Sequence, residues 1–137
     1  MRLWHYKLIS VLPNKMLVSQ WRECLAIKRQ WEKGTLKHSL VSYVKDYEKD
    51  VFLGYVLMVI KEFDDRNIKY NKKLLEEFGK FADNTCDFNH YQEHNARYLR
   101  QCFYNLQEKY DRNIISKTEY DLICEKLKKE NLLEIKE

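Results

Sequence analysis

The chain has 137 residues, 45% of them hydrophobic and 14% aromatic, enough to bury one core without disulfides or metals and unlike a disordered tail or a two-domain protein. Only three glycines and one proline occur, too few for the tight turns of an all-β fold. The expected class is all-α: a compact single domain over residues 1–137, built from about four to five helices with an extended N-terminal segment.

Taken in chain order, Leu8 to Leu12 is too short an apolar run for a secretory leader, and Pro13 ends it without a small-residue cleavage site. Asn14 is placed to cap a first helix, whose apolar positions Leu17, Val18, Trp21, Cys24 and Leu25, with the stem of Lys28, recur at three- and four-residue spacing. Gly34 supplies its stop. A second helix is expected from Tyr47 to Arg66, with Val51, Phe52, Tyr55, Met58, Val59 and Phe63 facing inward. Gly54 conflicts with that helix by about 1 kcal/mol unless a neighbouring backbone packs against it. Its apolar run, Val51 to Ile60, falls far below the roughly 20 residues that span a bilayer, so no membrane insertion is expected.

Asn71 to Phe81 reads as a short helix and Asp83 to Asn89 as a loop. A long helix follows from His90 to Tyr110, carrying Tyr98, Leu99, Cys102, Phe103, Leu106 and Tyr110 on one stripe and ending at a left-handed Asn113. Ser116, Lys117, Thr118 and Glu119 form a capping box that starts a last helix, and Glu125 to Glu137 is expected to fray. The four cysteines (Cys24, Cys86, Cys102, Cys124) are widely spaced, as buried thiols of a reducing compartment are, so no disulfide is expected.

Charge is unevenly spread. Residues 1–34 hold seven basic side chains (Arg2, Lys7, Lys15, Arg22, Lys28, Arg29, Lys33) against Glu23 and Glu32, a net +5 that leaves −1 on the remaining 103 residues. A concentrated basic surface attracts polyanions, while a solvated helix face is the plainer account of the same residues. Helical spacing puts Ser19, Arg22, Glu23, Ala26, Arg29 and Gln30 on the face turned away from Trp21 and Leu25. A carboxylate flanked by small residues and two guanidinium groups suits a phosphodiester with an acid/base group at its centre, and an ordinary surface ion pair has the same pattern.

Arg2 beside the amino terminus, followed by Ser10, Leu12, Leu17 and then Trp21, Arg22 and Glu23, resembles the opening of the pyrimidine-dimer DNA glycosylases, the bacteriophage endonuclease V family. A second block, Glu93 to Leu99 running on to Tyr110, Asp111 and Arg112, resembles the late helix of that family's bacterial branch. The resemblance implies a nearly all-helical fold whose N-terminal segment delivers its amine beside the helix-one glutamate. It implies that this amine attacks the anomeric carbon of a damaged nucleotide in double-stranded DNA, that an imine forms, and that elimination nicks the strand. On these residues the amine is that of Met1, the glutamate is Glu23, and the contacts to phosphate or base come from Arg2, Arg22 and Arg97. No cofactor or metal is implied, and the place of action is the cytoplasm, nucleoid-associated when bound to DNA.

Three features depart from the family pattern. Bulky Arg2 follows Met1 and blocks removal of that methionine, whereas the phage-type enzyme exposes a threonine. The family's second helix-one arginine is replaced near Ala26, with Lys28 and Arg29 as substitutes. The aromatic, basic C-terminal tail is missing, and Leu132 to Glu137, with two glutamates against one lysine, favours a monomer.

A competing motif is His90-Tyr91-Gln92-Glu93-His94, an H-x-x-E-H pattern that on a helix sets two imidazoles four residues apart as for zinc, with Cys86 as a conceivable third ligand. Proteases of that kind need a further ligand well downstream and a larger domain, and polar histidines at a helix start are the simpler reading. The alternative to the glycosylase is a non-catalytic helical nucleic-acid-binding protein that grips phosphates with the basic segment and stacks bases on tyrosines. Glu23 separates the two, because a pure phosphate binder gains nothing from a carboxylate in its basic face. A protein-interaction module on the last helix has only generic support.

Overall fold

The computed structural model describes residues 1–130. Its elements are α1 (Asn14–Lys33), α2 (Lys49–Asp65), α3 (Lys72–Phe81), α4 (Ala96–Asp111) and α5 (Lys117–Lys129), with two 3₁₀ turns at Tyr6–Val11 and Ser42–Asp46. The class is all-α, as the scarcity of glycine and proline predicts. The described residues group into two compact units, one formed by 1–3 with 17–91 and the other by 4–16 with 92–130.

In the first unit α1 ends at Gly34, whose φ of +71° is a left-handed geometry that glycine adopts without steric cost. Aromatic pairs join α1 to α3 and α2: Trp21 with Phe78 at 5.7 Å, Trp31 with Phe81 at 5.2 Å and Trp31 with Phe52 at 6.2 Å between ring centroids, while Phe78 of α3 meets Phe52 of α2 at 5.7 Å. Helix α2 is the most deeply buried element. Five of the six residues expected to face inward are buried and Met58 is half-buried, while Leu53, Gly54, Val56 and Ile60 are buried too. The conflict at Gly54 resolves physically: a Cβ there would run into the backbone carbonyl of Asp87, whose own N–H donates to the Asp50 carbonyl at 3.0 Å. The loop after α3 therefore lies directly on α2. Helix α3 is capped by Asn71, whose side-chain oxygen accepts from the N–H groups of Lys73 and Leu74.

In the second unit His5 caps the first 3₁₀ turn, its Nδ1 accepting from the Lys7 N–H at 3.1 Å. Helix α4 starts at Ala96 rather than at the expected His90, because Asn95 takes extended backbone geometry and its side chain accepts from the Tyr98 N–H at 2.9 Å. Leu99, Cys102, Phe103 and Leu106 form its buried stripe, and Asn113, at φ +62°, ends it as expected. His90 and His94 thus precede the helix, so the i, i+4 helical geometry of the H-x-x-E-H pattern is not formed. His94 is instead buried, its ring 5.4 Å from that of His5.

The capping box of α5 is present in both directions, Glu119 N–H to Ser116 Oγ at 3.1 Å and Ser116 N–H to Glu119 Oε1 at 2.8 Å. Helix α5 then runs on to Lys129, past the Glu125 at which fraying is expected. Among the contacts that hold it, Tyr120 stacks on Tyr110 of α4 at 4.3 Å, Ile123 and Leu127 are buried, and Glu130, just beyond its end, pairs with Lys7 at 2.9 Å. The remaining part of the expected frayed tail, with Leu132 to Glu137, lies outside the described residues. Among the described residues no helix is long and apolar enough to cross a membrane.

Candidate active site

The solvent face of α1 has the composition expected from spacing: Ser19, Arg22 and Arg29 are exposed, and Glu23, Ala26 and Gln30 are half-buried. Against this face runs the start of the chain. The Arg2 N–H donates to Glu23 Oε2 at 3.0 Å, and the Arg2 carbonyl accepts from Gln20 Nε2 at 2.8 Å. Gln20 Nε2 also reaches Glu23 Oε2 at 3.3 Å, and Gln20 Oε1 accepts from the Tyr55 hydroxyl at 3.0 Å. A hydrogen-bonded chain thus leads from Tyr55 of α2 through Gln20 of α1 to the backbone of Arg2 and to the Glu23 carboxylate.

The position of the terminal amine follows from covalent geometry. Three bonds separate the Met1 nitrogen from the Arg2 nitrogen, a span of at most about 4 Å, so the amine lies within about 7 Å of the Glu23 carboxylate. Met1, Arg2 and Glu23 are therefore brought together, with Arg22 one residue before the carboxylate and Arg29 two turns further along the same face. Lys28 is not on that face. It is buried among the core side chains, its ammonium bonded to Glu32 at 3.0 Å and 5.7 Å from the centre of the Phe78 ring. Arg97 is exposed in the first turn of α4, in the other unit.

Cys24, next to Glu23, offers no competing nucleophile. Burial, and secondarily the negative charge of Glu23, push its thiol far above the usual range, so it stays protonated. Among the described residues no group of three or more histidine, cysteine or acidic side chains is placed to hold a metal.

Gln20 and Tyr55 are the site residues that pattern reading passes over. Tyr55 reads as core, which it is, and only its hydroxyl serves the site. Gln20 carries a usable signal: three residues after Leu17 and four before Cys24, it interrupts an inward stripe. A polar side chain there must find hydrogen-bond partners.

A family model described as pyrimidine dimer DNA glycosylase matches residues 1–76, a span that includes Arg2, Gln20, Glu23 and Tyr55 and stops before the second block at Glu93 to Leu99. No curated protein and no solved structure matches the chain.

Proposed function

The chain belongs to the pyrimidine dimer DNA glycosylases, and from that premise we propose that it excises damaged pyrimidines from double-stranded DNA through an imine formed by the α-amine of Met1, then cleaves the strand at the resulting abasic site. The observation that carries this reading is the Arg2 to Glu23 hydrogen bond, which holds the N-terminal residue beside a carboxylate on the basic face of α1.

In this reading the amine lone pair forms a bond to C1′ while the C1′–N bond to the base breaks and its electron pair leaves with the base. The amine loses its proton, the sugar ring opens at O4′, and an imine results. Removal of a C2′ proton then expels the 3′ phosphate, and water releases the amine. Glu23 stabilises the cationic sugar and moves the protons of ring opening and elimination. A neutral amine is required for attack. At pH 7.4 roughly a quarter of an ordinary α-amine is neutral but only about a thousandth of an ordinary lysine, which favours a terminal nucleophile.

Arg2, Arg22 and Arg29 contact phosphates in this reading, and Arg97 contributes from α4. Lys28, held by Glu32 and Phe78, serves the fold instead. The acting species is the monomer. The test is borohydride trapping on ultraviolet-irradiated, abasic and untreated duplexes, followed by mass spectrometry of the cross-linked peptide. Trapping at Met1 on the two damaged duplexes, with incision of the irradiated one, is the expected result. A cross-link at Lys7, Lys15 or any other lysine would overturn the nucleophile. Tight binding with neither trapping nor incision would favour the non-catalytic nucleic-acid binder.

A further inference from the structure

Gln20 sits on the inward side of α1 with 1% of its surface exposed, and both ends of its amide are engaged. Its Nε2 donates to the Arg2 carbonyl and to Glu23 Oε2, and its Oε1 accepts from Tyr55, itself buried on α2. The amide has one tolerable orientation. Flipping it would set an acceptor against the Arg2 carbonyl and against the Glu23 carboxylate, both of which are acceptors too.

We infer that Gln20, held by Tyr55, is a positioning residue for imine formation: it fixes the N-terminal residue and the Glu23 carboxylate relative to each other. This rests on the reading of the Met1 amine as nucleophile. Arg2 is clamped at two points, its N–H by Glu23 and its carbonyl by Gln20, so Met1 stands on a fixed stem rather than on a free chain end. The same amide orients the carboxylate. The Arg2 N–H and Gln20 Nε2 both donate to Oε2, which holds that oxygen of the carboxylate in place. Tyr55 acts only at one remove, by holding the amide in register. A reacting group displaced by about 1 Å can lose on the order of 100-fold in rate, so this geometry is read out in the chemical step rather than in DNA affinity.

The experiment compares the parent with Gln20→Met, which keeps length and loses the hydrogen bonds, Tyr55→Phe, which loses one hydroxyl, and the double variant. For each, the single-turnover rate of borohydride-trappable imine at saturating abasic duplex is measured beside the Kd for that duplex and the thermal midpoint. Gln20→Met is expected to slow trapping by about 10- to 100-fold with Kd within about threefold of the parent, a split that general loosening of the fold does not produce. Tyr55→Phe is expected to slow trapping by about three- to tenfold, and to have no further effect in the Gln20→Met background. A parental trapping rate in Gln20→Met, or a full effect of Tyr55→Phe in that background, overturns the inference. Where Gln20→Met fails to fold, Tyr55→Phe decides alone, and a parental rate overturns it. A parent cross-link on a lysine overturns the nucleophile reading together with this one, whereas a Met1 cross-link with unaffected variants overturns this one only.

Discussion

Arg2 and Glu23 stand 21 residues apart in the chain and are joined by a single hydrogen bond, from the Arg2 N–H to Glu23 Oε2 at 3.0 Å. It ties the first peptide of the protein to the middle of the first helix, and it does so on a face where Arg22 and Arg29 are open to solvent. In the proposed function that carboxylate acts in the chemistry, since a negative group only weakens the attraction of the face for phosphates.

Glu23→Gln is therefore expected to reduce turnover by at least about 100-fold, the contribution typical of a positioned acid/base group. The amide oxygen of glutamine still accepts from the Arg2 N–H, so the fold should weaken by no more than about 1 kcal/mol. Affinity for an abasic duplex should hold or rise, since a negative charge leaves the site. Incision rates, a thermal melt and a binding titration check the three parts. An unfolded variant, or one that cuts like the parent, would make Glu23 a structural residue.

Arg22→Ala and Arg29→Ala should each flatten the dependence of log affinity on log salt by about 0.9, the contribution of one neutralised phosphate. Lys28→Ala should leave that slope unchanged and instead destabilise the protein by about 1 kcal/mol, because its stem is buried and its ammonium lies over Phe78. Binding titrations over a salt series, with denaturant unfolding alongside, separate the two kinds of lysine and arginine. A reduced slope in Lys28→Ala would return that residue to the DNA face.

Gly54→Ala gains helix propensity and should nonetheless destabilise, by about 1–3 kcal/mol, since the new methyl meets the Asp87 backbone rather than a flexible side chain. In an open helix the same change would stabilise by about 1 kcal/mol. The sign of the shift in denaturant midpoint is thus the measurement, and a stabilised variant would mean that the loop after α3 does not rest on α2.

Where local chemistry decides a boundary, the sequence was readable. Asn71, Ser116 and Glu119, Gly34 and Asn113 mark helix ends through groups within a few residues of themselves, and each acts as its type predicts. The pattern sets the start of α4 too early, at His90, although Asn95 is the same kind of cap, because polar residues from His90 onward leave the stripe without a visible edge. The 3₁₀ turns at Tyr6–Val11 and Ser42–Asp46 are too short to show a period. In the site, helical spacing already sets Glu23 among the guanidinium groups of one face, and only the family resemblance joins it to Arg2 and the terminal amine. Gln20 joins Arg2 and Tyr55, 18 and 35 residues away, and no local pattern encodes such a pairing. Lys28 shows the limit of counting charge: its inward stem was legible from spacing, and so was the i, i+4 relation to Glu32 that occupies its ammonium.

The Lys7–Glu130 pair makes a pH-dependent contribution of predictable sign. The hydrogen bond from Lys7, helped by its charge, lowers the Glu130 carboxyl below its usual 4.5, and the bond to Glu130 raises Lys7 above 10.5 against the opposing effect of burial. A lowered acid contributes stability above its unfolded value that is lost as pH falls through the folded one. A raised base contributes below its unfolded value and loses it as pH climbs through the folded one. Both side chains are about one-third exposed, which screens the pair to about 0.2–1 kcal/mol. Lys7→Met should lower unfolding free energy by that amount near neutrality, with the gap to the parent closing below pH 4.5 and again above pH 10.5. A gap of constant size across the range would assign the effect to packing of the lysine stem.

Blocking the N-terminus should abolish the chemistry while sparing recognition. An acetylated α-nitrogen has its lone pair delocalised into the new amide and carries no titratable proton, so it cannot form an imine whatever its position. An uncleaved tag does the same and adds bulk. The Arg2 N–H is held on Glu23 Oε2, so residues added before Met1 must pass within about 7 Å of the carboxylate and crowd the place where the sugar would bind. The phosphate contacts proposed for Arg22 and Arg29 lie further along α1 and do not depend on the amine. The expected outcome is that N-acetylated protein binds an abasic duplex with a Kd within about threefold of the unmodified protein and shows no borohydride-trappable product. Restoring a free Met1 by proteolytic removal of a tag should restore trapping. Full incision by the blocked protein would exclude the terminal amine and direct attention to a side-chain nucleophile, and loss of binding along with activity would mean that the terminus itself contacts DNA.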